Sequence, residues 1–174
     1  MHDSIVLLGY SGVGKDTTFD TLNSRYPGVY TNVKFGIMAK VFVSRALNVP
    51  IVDVEDRYTR QQKTLYGVSP LDLLTVLYKG CTPELTKAHI EYALNSIRLD
   101  AIPVFTDVRR KEEADAVCEH LSNPLFVYLW TPEIEPSVND GNILSIAKEY
   151  NAKPVCRLFA NATEVVNTIE QYLG

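Results

Sequence analysis

The stretch Gly9-Tyr10-Ser11-Gly12-Val13-Gly14-Lys15-Asp16-Thr17 decides the reading of this chain, because it joins a β-rich apolar run, Ser4–Gly9, to a segment of helical composition, Lys15–Tyr26. In that setting closely spaced glycines let successive backbone N–H groups point inward. The following helix adds its four unpaired N–H groups and the positive end of its dipole. Such a nest fits a phosphate chain, with Gly12, Val13 and Gly14 supplying backbone, Lys15 a mobile charge, and Ser11 and Thr17 hydroxyl donors. The pattern G-x-x-x-x-G-K-[ST] is met except at Asp16, which stands where a magnesium-binding hydroxyl is usual. A metal would then be held through water or by carboxylates.

Outward from the loop, apolar runs and helical stretches alternate. Val29–Val33 reads as a second strand and Gly36–Leu47 as a helix, with Ile37, Val41 and Arg45 four apart and Pro50 beyond it. Within Ile51–Gly80, Val54–Gln62 reads as a charged helix, and Ser69-Pro70 opens an apolar helical turn. Thr82-Pro83-Glu84 starts a helix with a capping hydroxyl, a proline at the first position and an acid near the positive end of the dipole. Ile102–Thr106 and Leu125–Trp130 read as the third and fourth strands, separated by a helix over Arg110–Leu121. A short helix over Asn142–Tyr150, a fifth strand over Val155–Phe159 and a helix over Ala162–Leu173 complete the pattern. Strands alternating with helices of this length predict an α/β, three-layer αβα fold around a central five-stranded parallel sheet.

The chain has 174 residues, about one domain's worth. Its 46% hydrophobic and 22% charged residues exclude a disordered or fibrous chain. No apolar run approaches the roughly 20 residues of a membrane span, and no charged-then-apolar leader opens the sequence, so a cytoplasmic protein is expected. A net charge of -4 argues against gripping a nucleic-acid backbone, which needs a dominant basic surface. Charge is uneven all the same: Lys34–Lys63 carries six cations against three anions, room for a small anion. Cys81, Cys118 and Cys156 form no C-x-x-C pair, and His2, His89 and His120 fall in no metal-ligand spacing.

A second motif, Phe105-Thr106-Asp107-Val108-Arg109, closes the third strand. A carboxylate at the carboxyl end of a parallel strand beside a phosphate loop sits where ligands bind in such sheets, so Asp107 is placed to anchor magnesium-bound water. Arg109, two residues on, offers a planar and always charged fork suited to a phosphoryl group.

Gly14-Lys15-Asp16-Thr17 resembles the nucleoside monophosphate kinase group of phosphate-loop proteins, in particular phage-type deoxynucleoside monophosphate kinases. Thr106-Asp107-Val108-Arg109, followed by Glu113-Ala114, is similar to the signature at the end of that family's third strand, and Lys34–Lys40 to the segment after its second. Phe159-Ala160-Asn161-Ala162-Thr163 resembles its asparagine-containing turn near the adenine. The resemblance implies one kinase domain over 1–174, with 34–80 a helical insertion over the acceptor and 131–142 a short lid. It implies ATP and Mg2+ as cofactors, with transfer to a (deoxy)nucleoside monophosphate. Lys15, Asp107 and Arg109 would be catalytic, and Ser11 through Thr17 with Asn161 would hold ATP. Lys34, Arg57, Arg60, Tyr66 and Arg110 would bind the acceptor, and Asp16 and Asp107 the metal through water. Partners would be small nucleotides, without nucleic acid or membrane, for a monomer or homodimer in the cytoplasm, the host's if phage-encoded.

Departures from the family pattern keep other readings open. Gly67–Leu74 lacks the arginine its relatives usually carry, and the 131–142 segment offers acids and no cation, leaving Arg109 and Arg110, then Arg98 and Lys148, as sources of positive charge. Asn161 with Glu164 three residues later is also a helix-starting device in its own right. A non-catalytic nucleotide-binding module, or a kinase of another small phosphorylated metabolite of the dephospho-coenzyme A kinase type, fits the same loop.

Overall fold

The run Ser4–Leu8 forms β1, which is buried along its whole length. An apolar strand with no polar face belongs in the middle of a parallel sheet, flanked on both edges and covered on both faces. The computed structural model describes all residues except 1, 57, 81, 137–139, 141 and 158–160. The chain divides into two compact units, Met1–Lys34 with Ser96–Gly174, and Phe35–Asn95.

In the first unit β1 is joined by β2 (Tyr30–Val33), β3 (Ile102–Phe105), β4 (Pro124–Trp130) and β5 (Lys153–Cys156). The sheet order is β2-β3-β1-β4-β5 and every pairing is parallel, with Ile5 opposite Val104 on one side and Leu125 on the other. This is the five-stranded α/β architecture expected from the alternation of runs. Its helices are α1 (Lys15–Arg25), α6 (Lys111–His120), α7 (Ile143–Glu149) and α8 (Ala162–Leu173); α1 and α8 lie side by side, where Arg25 pairs with Glu170 at 2.9 Å. Ile5, Leu7, Leu22, Val104, Leu129 and Ile169 are fully buried members of one core. Because all strands run the same way, their carboxyl ends share one edge of the sheet, the edge where open parallel sheets bind ligands.

The fifth strand begins two residues earlier than the apolar pattern indicates and ends at Cys156. Lys153 and Pro154 have poor strand propensity, but β5 is an edge strand, where a missing N–H and a charged side chain are tolerated. The end of the expected strand, Leu158 and Phe159, lies outside the described residues. The shift leaves Arg157 just past the strand's carboxyl end rather than inside it.

The second unit is helical: α2 (Ile37–Leu47), α3 (Ile51–Glu55), a 3-10 turn (Thr59–Gln61), α4 (Pro70–Lys79) and α5 (Pro83–Asn95). It thus runs past Gly80 to take in α5. Ala39, Val43 and Leu47 give α2 its inward row, packed with Val54 and Leu74. The helix expected over Val54–Gln62 is broken because Asp56 Oδ1 accepts from the N–H groups of Tyr58 at 3.0 Å and Thr59 at 2.7 Å, a local turn that competes with helix. Ser69 opens α4 with a reciprocal capping box to Asp72. Among the described residues no helix is long and apolar enough to cross a membrane.

Candidate functional site

The loop between β1 and α1 is shaped by its glycines. Gly12 and Gly14 hold φ of 88° and 90°, the left-handed region that side chains with a Cβ rarely adopt, and Gly14 is the N-cap of α1 with no side chain capping it. Lys15 is buried and curls back so that Nζ donates to Gly9 O at 2.6 Å and Tyr10 O at 3.1 Å. Its pKa is pushed down to about 8, first by burial and then by the neighbouring Arg109, while Asp140, Asp16 and Asp107 pull the other way. A lysine so placed is poised to gain an anion, since burial disfavours its charge until a partner arrives. Ser11 and Thr17 are exposed at the loop surface, Val13 is buried beneath it, and Thr18 Oγ1 donates to Gly14 O at 2.9 Å.

Two further strands bring charges to the same loop. Thr106, the residue after β3, places Oγ1 3.1 Å from Asp16 Oδ1 and 3.0 Å from Asn32 Oδ1, and Lys34 Nζ lies 3.2 Å from Asp16 Oδ1. Asp107 acts on Lys15 electrostatically, as Asp16 does. Arg109 reaches Asp140, whose Oδ1 lies 3.7 Å from its Nη1. Asp140 is almost fully buried, and both of its oxygens accept from the N–H of Ser11 at 3.2 Å. The acid of the 131–142 segment thus sits on the loop and draws Arg109 to it. Residues 137–139 and 141 of that segment lie outside the described residues.

Glu113 shapes the start of α6. Its Oε2 accepts from Arg109 N at 2.7 Å and Arg110 N at 3.1 Å, and the carboxyl pKa is raised to about 7, chiefly by burial and further by Asp107, against the pull of those two N–H groups. Arg110, read from the sequence as an acceptor contact, is the N-cap of this helix. Asn161 caps α8, its Oδ1 accepting from Glu164 N at 3.3 Å. Phe159 and Ala160 of the turn before it lie outside the described residues.

Arg157 is the residue that sequence reasoning missed. Its guanidinium donates from Nη1 to Val13 O at 2.6 Å and lies so close over Gly14 that a Cβ there would fall 0.8 Å from Nη1. Gly14 is required by its φ, and any side chain there would also push the Arg157 guanidinium off its place on the loop. The signal was present in Lys153-Pro154, which marks an edge strand and moves Arg157 to the ligand-bearing edge.

Of the remaining acceptor candidates, Arg60 and Tyr66 belong to the second unit and Arg57 lies outside the described residues. Arg60 Nε is buried and has no hydrogen-bond partner among the described residues. Tyr66 is largely exposed and, with Leu47, Asp53, Gln62, Lys63 and Leu65, lines a cavity of about 350 Å³ inside that unit. Among the described residues no group of three or more His, Cys, Asp or Glu side chains gathers as a metal cage. Asp16 and Asp107 still fit magnesium, which takes one or two carboxylates and completes its shell with phosphate oxygens and water.

No protein-family model and no curated protein sequence matches the chain. Among solved structures, the tunicamycin resistance protein of Deinococcus radiodurans aligns over 99% of this chain and 96% of its own, at 16% identity and a TM-score of 0.51, and shares its fold. A gluconokinase from Sinorhizobium meliloti 1021 aligns over 96% and 90% at 15% identity and a TM-score of 0.48. A dephospho-CoA kinase from Campylobacter jejuni aligns over 99% and 98% at 11% identity and a TM-score of 0.46.

Proposed function

We propose that this chain is an ATP-dependent phosphotransferase that passes the γ-phosphoryl group to a (deoxy)nucleoside monophosphate, giving ADP and the nucleoside diphosphate. The observation that carries this reading is the glycine loop at the start of α1 with Lys15, Asp16, Asp107 and Arg109 gathered around it. In the transfer, the bond from the γ-phosphorus to the oxygen bridging it to ADP breaks. A bond from an acceptor phosphate oxygen to that phosphorus forms in line with it, and no protein nucleophile takes part. Positioning and charge neutralisation supply the catalysis, so a site of cations and amides without a nucleophile–base pair is the appropriate machinery.

Each loop group has a part in that chemistry. Lys15 exchanges two carbonyl partners for phosphate oxygens, which favour its charged form against the burial that lowers its pKa. Arg109 turns from Asp140 to the transferred group, while Ser11 N–H, released from the same carboxylate, donates to it. Asp16 and Asp107 would hold magnesium through water, and the ion would neutralise and align the outer phosphates. Lys34, Arg60 and Tyr66, with Arg57 and Arg110, are the proposed acceptor contacts, and Asn161 a contact to the adenosine. The chain would work on small molecules alone, as a monomer or homodimer in the cytoplasm.

One observation favours a second reading. The loop already binds a carboxylate of its own chain, through Ser11 N and Arg109, as a nucleotide sensor without transfer chemistry would. The experiment is ADP formation from ATP and magnesium with each ribo- and deoxynucleoside monophosphate, and with dephospho-coenzyme A. Acceptor-dependent ADP with one or a few nucleotides is expected. Turnover with dephospho-coenzyme A alone would replace the acceptor, and tight ATP binding without any turnover would favour the sensor.

A further inference from the structure

Among the charged groups around the loop, Arg157 stands apart. Lys34 is paired with Asp16 and Arg109 with Asp140. Lys15 is pulled on by three carboxylates. Among the described residues Arg157 has no carboxylate in ion-pair range; its guanidinium is held by one neutral carbonyl, Val13 O, against the N-cap of α1. That is the positive end of an eleven-residue helix, where a cation is electrostatically unfavourable and an anion favourable. A guanidinium held at such a place is a charge in want of a counterion.

We propose that Arg157 binds the polyphosphate chain of the nucleotide, supplying the cation that the acidic 131–142 segment lacks. The inference rests on the nucleotide-binding reading of the loop and is independent of the acceptor. Its backbone fixes the placement: Arg157 N donates to Trp130 O at 2.7 Å, continuing the β4–β5 pairing and turning the side chain's root toward the loop edge. With Nη1 tethered to Val13 O and the guanidinium lying against Gly14 at the N-cap of α1, the fork keeps further N–H donors for two phosphate oxygens at once. A lysine on the same stem would bring charge without the fork.

The test measures binding of inorganic tripolyphosphate, and of ATP, to the full chain by titration calorimetry for wild type, Arg157→Gln and Arg157→Lys, with melting temperatures as a folding check. Arg157→Gln removes the charge and, two bonds shorter, also gives up Val13 O, so a role limited to holding the loop would lower its melting temperature and leave the salt dependence of binding at the wild-type slope. The expected result is a loss of about tenfold to a hundredfold in Arg157→Gln with a smaller loss in Arg157→Lys. The dependence of affinity on salt should also become shallower in Arg157→Gln. Wild-type affinity, or a wild-type salt slope, in Arg157→Gln would overturn the inference and leave the nucleotide reading standing. If wild type bound neither tripolyphosphate nor ATP, the nucleotide reading itself would fall, and this inference with it.

Discussion

The two units of this chain are built on different terms. The first wraps a five-stranded sheet whose central strand is wholly buried, with large side chains such as Phe105, Leu7, Leu129 and Ile169 fully enclosed. The core cluster of the second gathers five buried side chains, three of them (Ala39, Val43 and Val54) smaller than leucine, and that unit leaves Tyr58, Leu65 and Tyr66 mostly in solvent. The contrast teaches where rigidity is needed. Phosphate recognition depends on backbone amides held to fractions of an ångström, which a close-packed sheet can supply. A helical unit with a thin core opens locally at lower cost, as segments that admit and release ligands do.

The sharpest way to separate function from stability in the first unit is Lys15→Met, which should lower turnover by about a thousandfold. Its melting temperature should hold or rise, because a buried ammonium whose hydrogen bonds go to carbonyls alone, and whose burial outweighs the pull of the nearby carboxylates, is replaced by an apolar chain. A fall in both would show that the loop depends on Lys15 for its shape. Next in size is a paired truncation. Leu7→Ala, in the sheet core, should cost about 3–5 kcal/mol, and Leu74→Ala, in the smaller core, about 2–3 kcal/mol. Hydrogen exchange read segment by segment should speed throughout in the former but only over 35–95 in the latter. Equal loss of protection everywhere in Leu74→Ala would make the units a single cooperative body.

Glu113 gives the comparison a pH axis. Its folded pKa of about 7 lies above the 4.5 of an ordinary glutamate, so between those values the folded state holds a proton that the unfolded state has released. Stability therefore falls as pH rises from about 4.5 to 7 and is level above it, by on the order of 2 kcal/mol. Urea unfolding at pH 5 and pH 8 should show wild type losing stability relative to Glu113→Gln, with the loss confined to the first unit. The smallest effect is expected from Ser69→Ala, which removes the cap of α4 and should cost about 1 kcal/mol. Exchange should quicken there only within the second unit.

What the sequence disclosed divides along similar lines. The centre of the sheet was legible because β1 and β4 are apolar and bounded by glycine, proline or a capping residue, so periodicity and punctuation agree there and at α8. Strand order was not, since no local signal reports which parallel neighbour a strand takes. In the site, the loop announced itself by its glycines, whereas Asp140 and Arg157 come to it from 129 and 144 residues away. Proximity of that kind is a product of the sheet's topology. The break after Asp56 was missed because a charged run looks helical until its carboxylate captures two amides of its own backbone.

The outer strands of the sheet carry one more consequence. An edge strand presents unpaired backbone groups on which a second molecule can extend the sheet. On β5 the exposed Lys153 brings charge and Pro154 has no amide to offer, so this border repels and cannot template. The opposite border, β2, has neither device; Thr31 and Asn32 are only partly covered and Tyr30 and Val33 turn inward. Should the molecule self-associate on warming or at high concentration, the growth front lies at β2, and a lysine placed there would be the change to make for solubility.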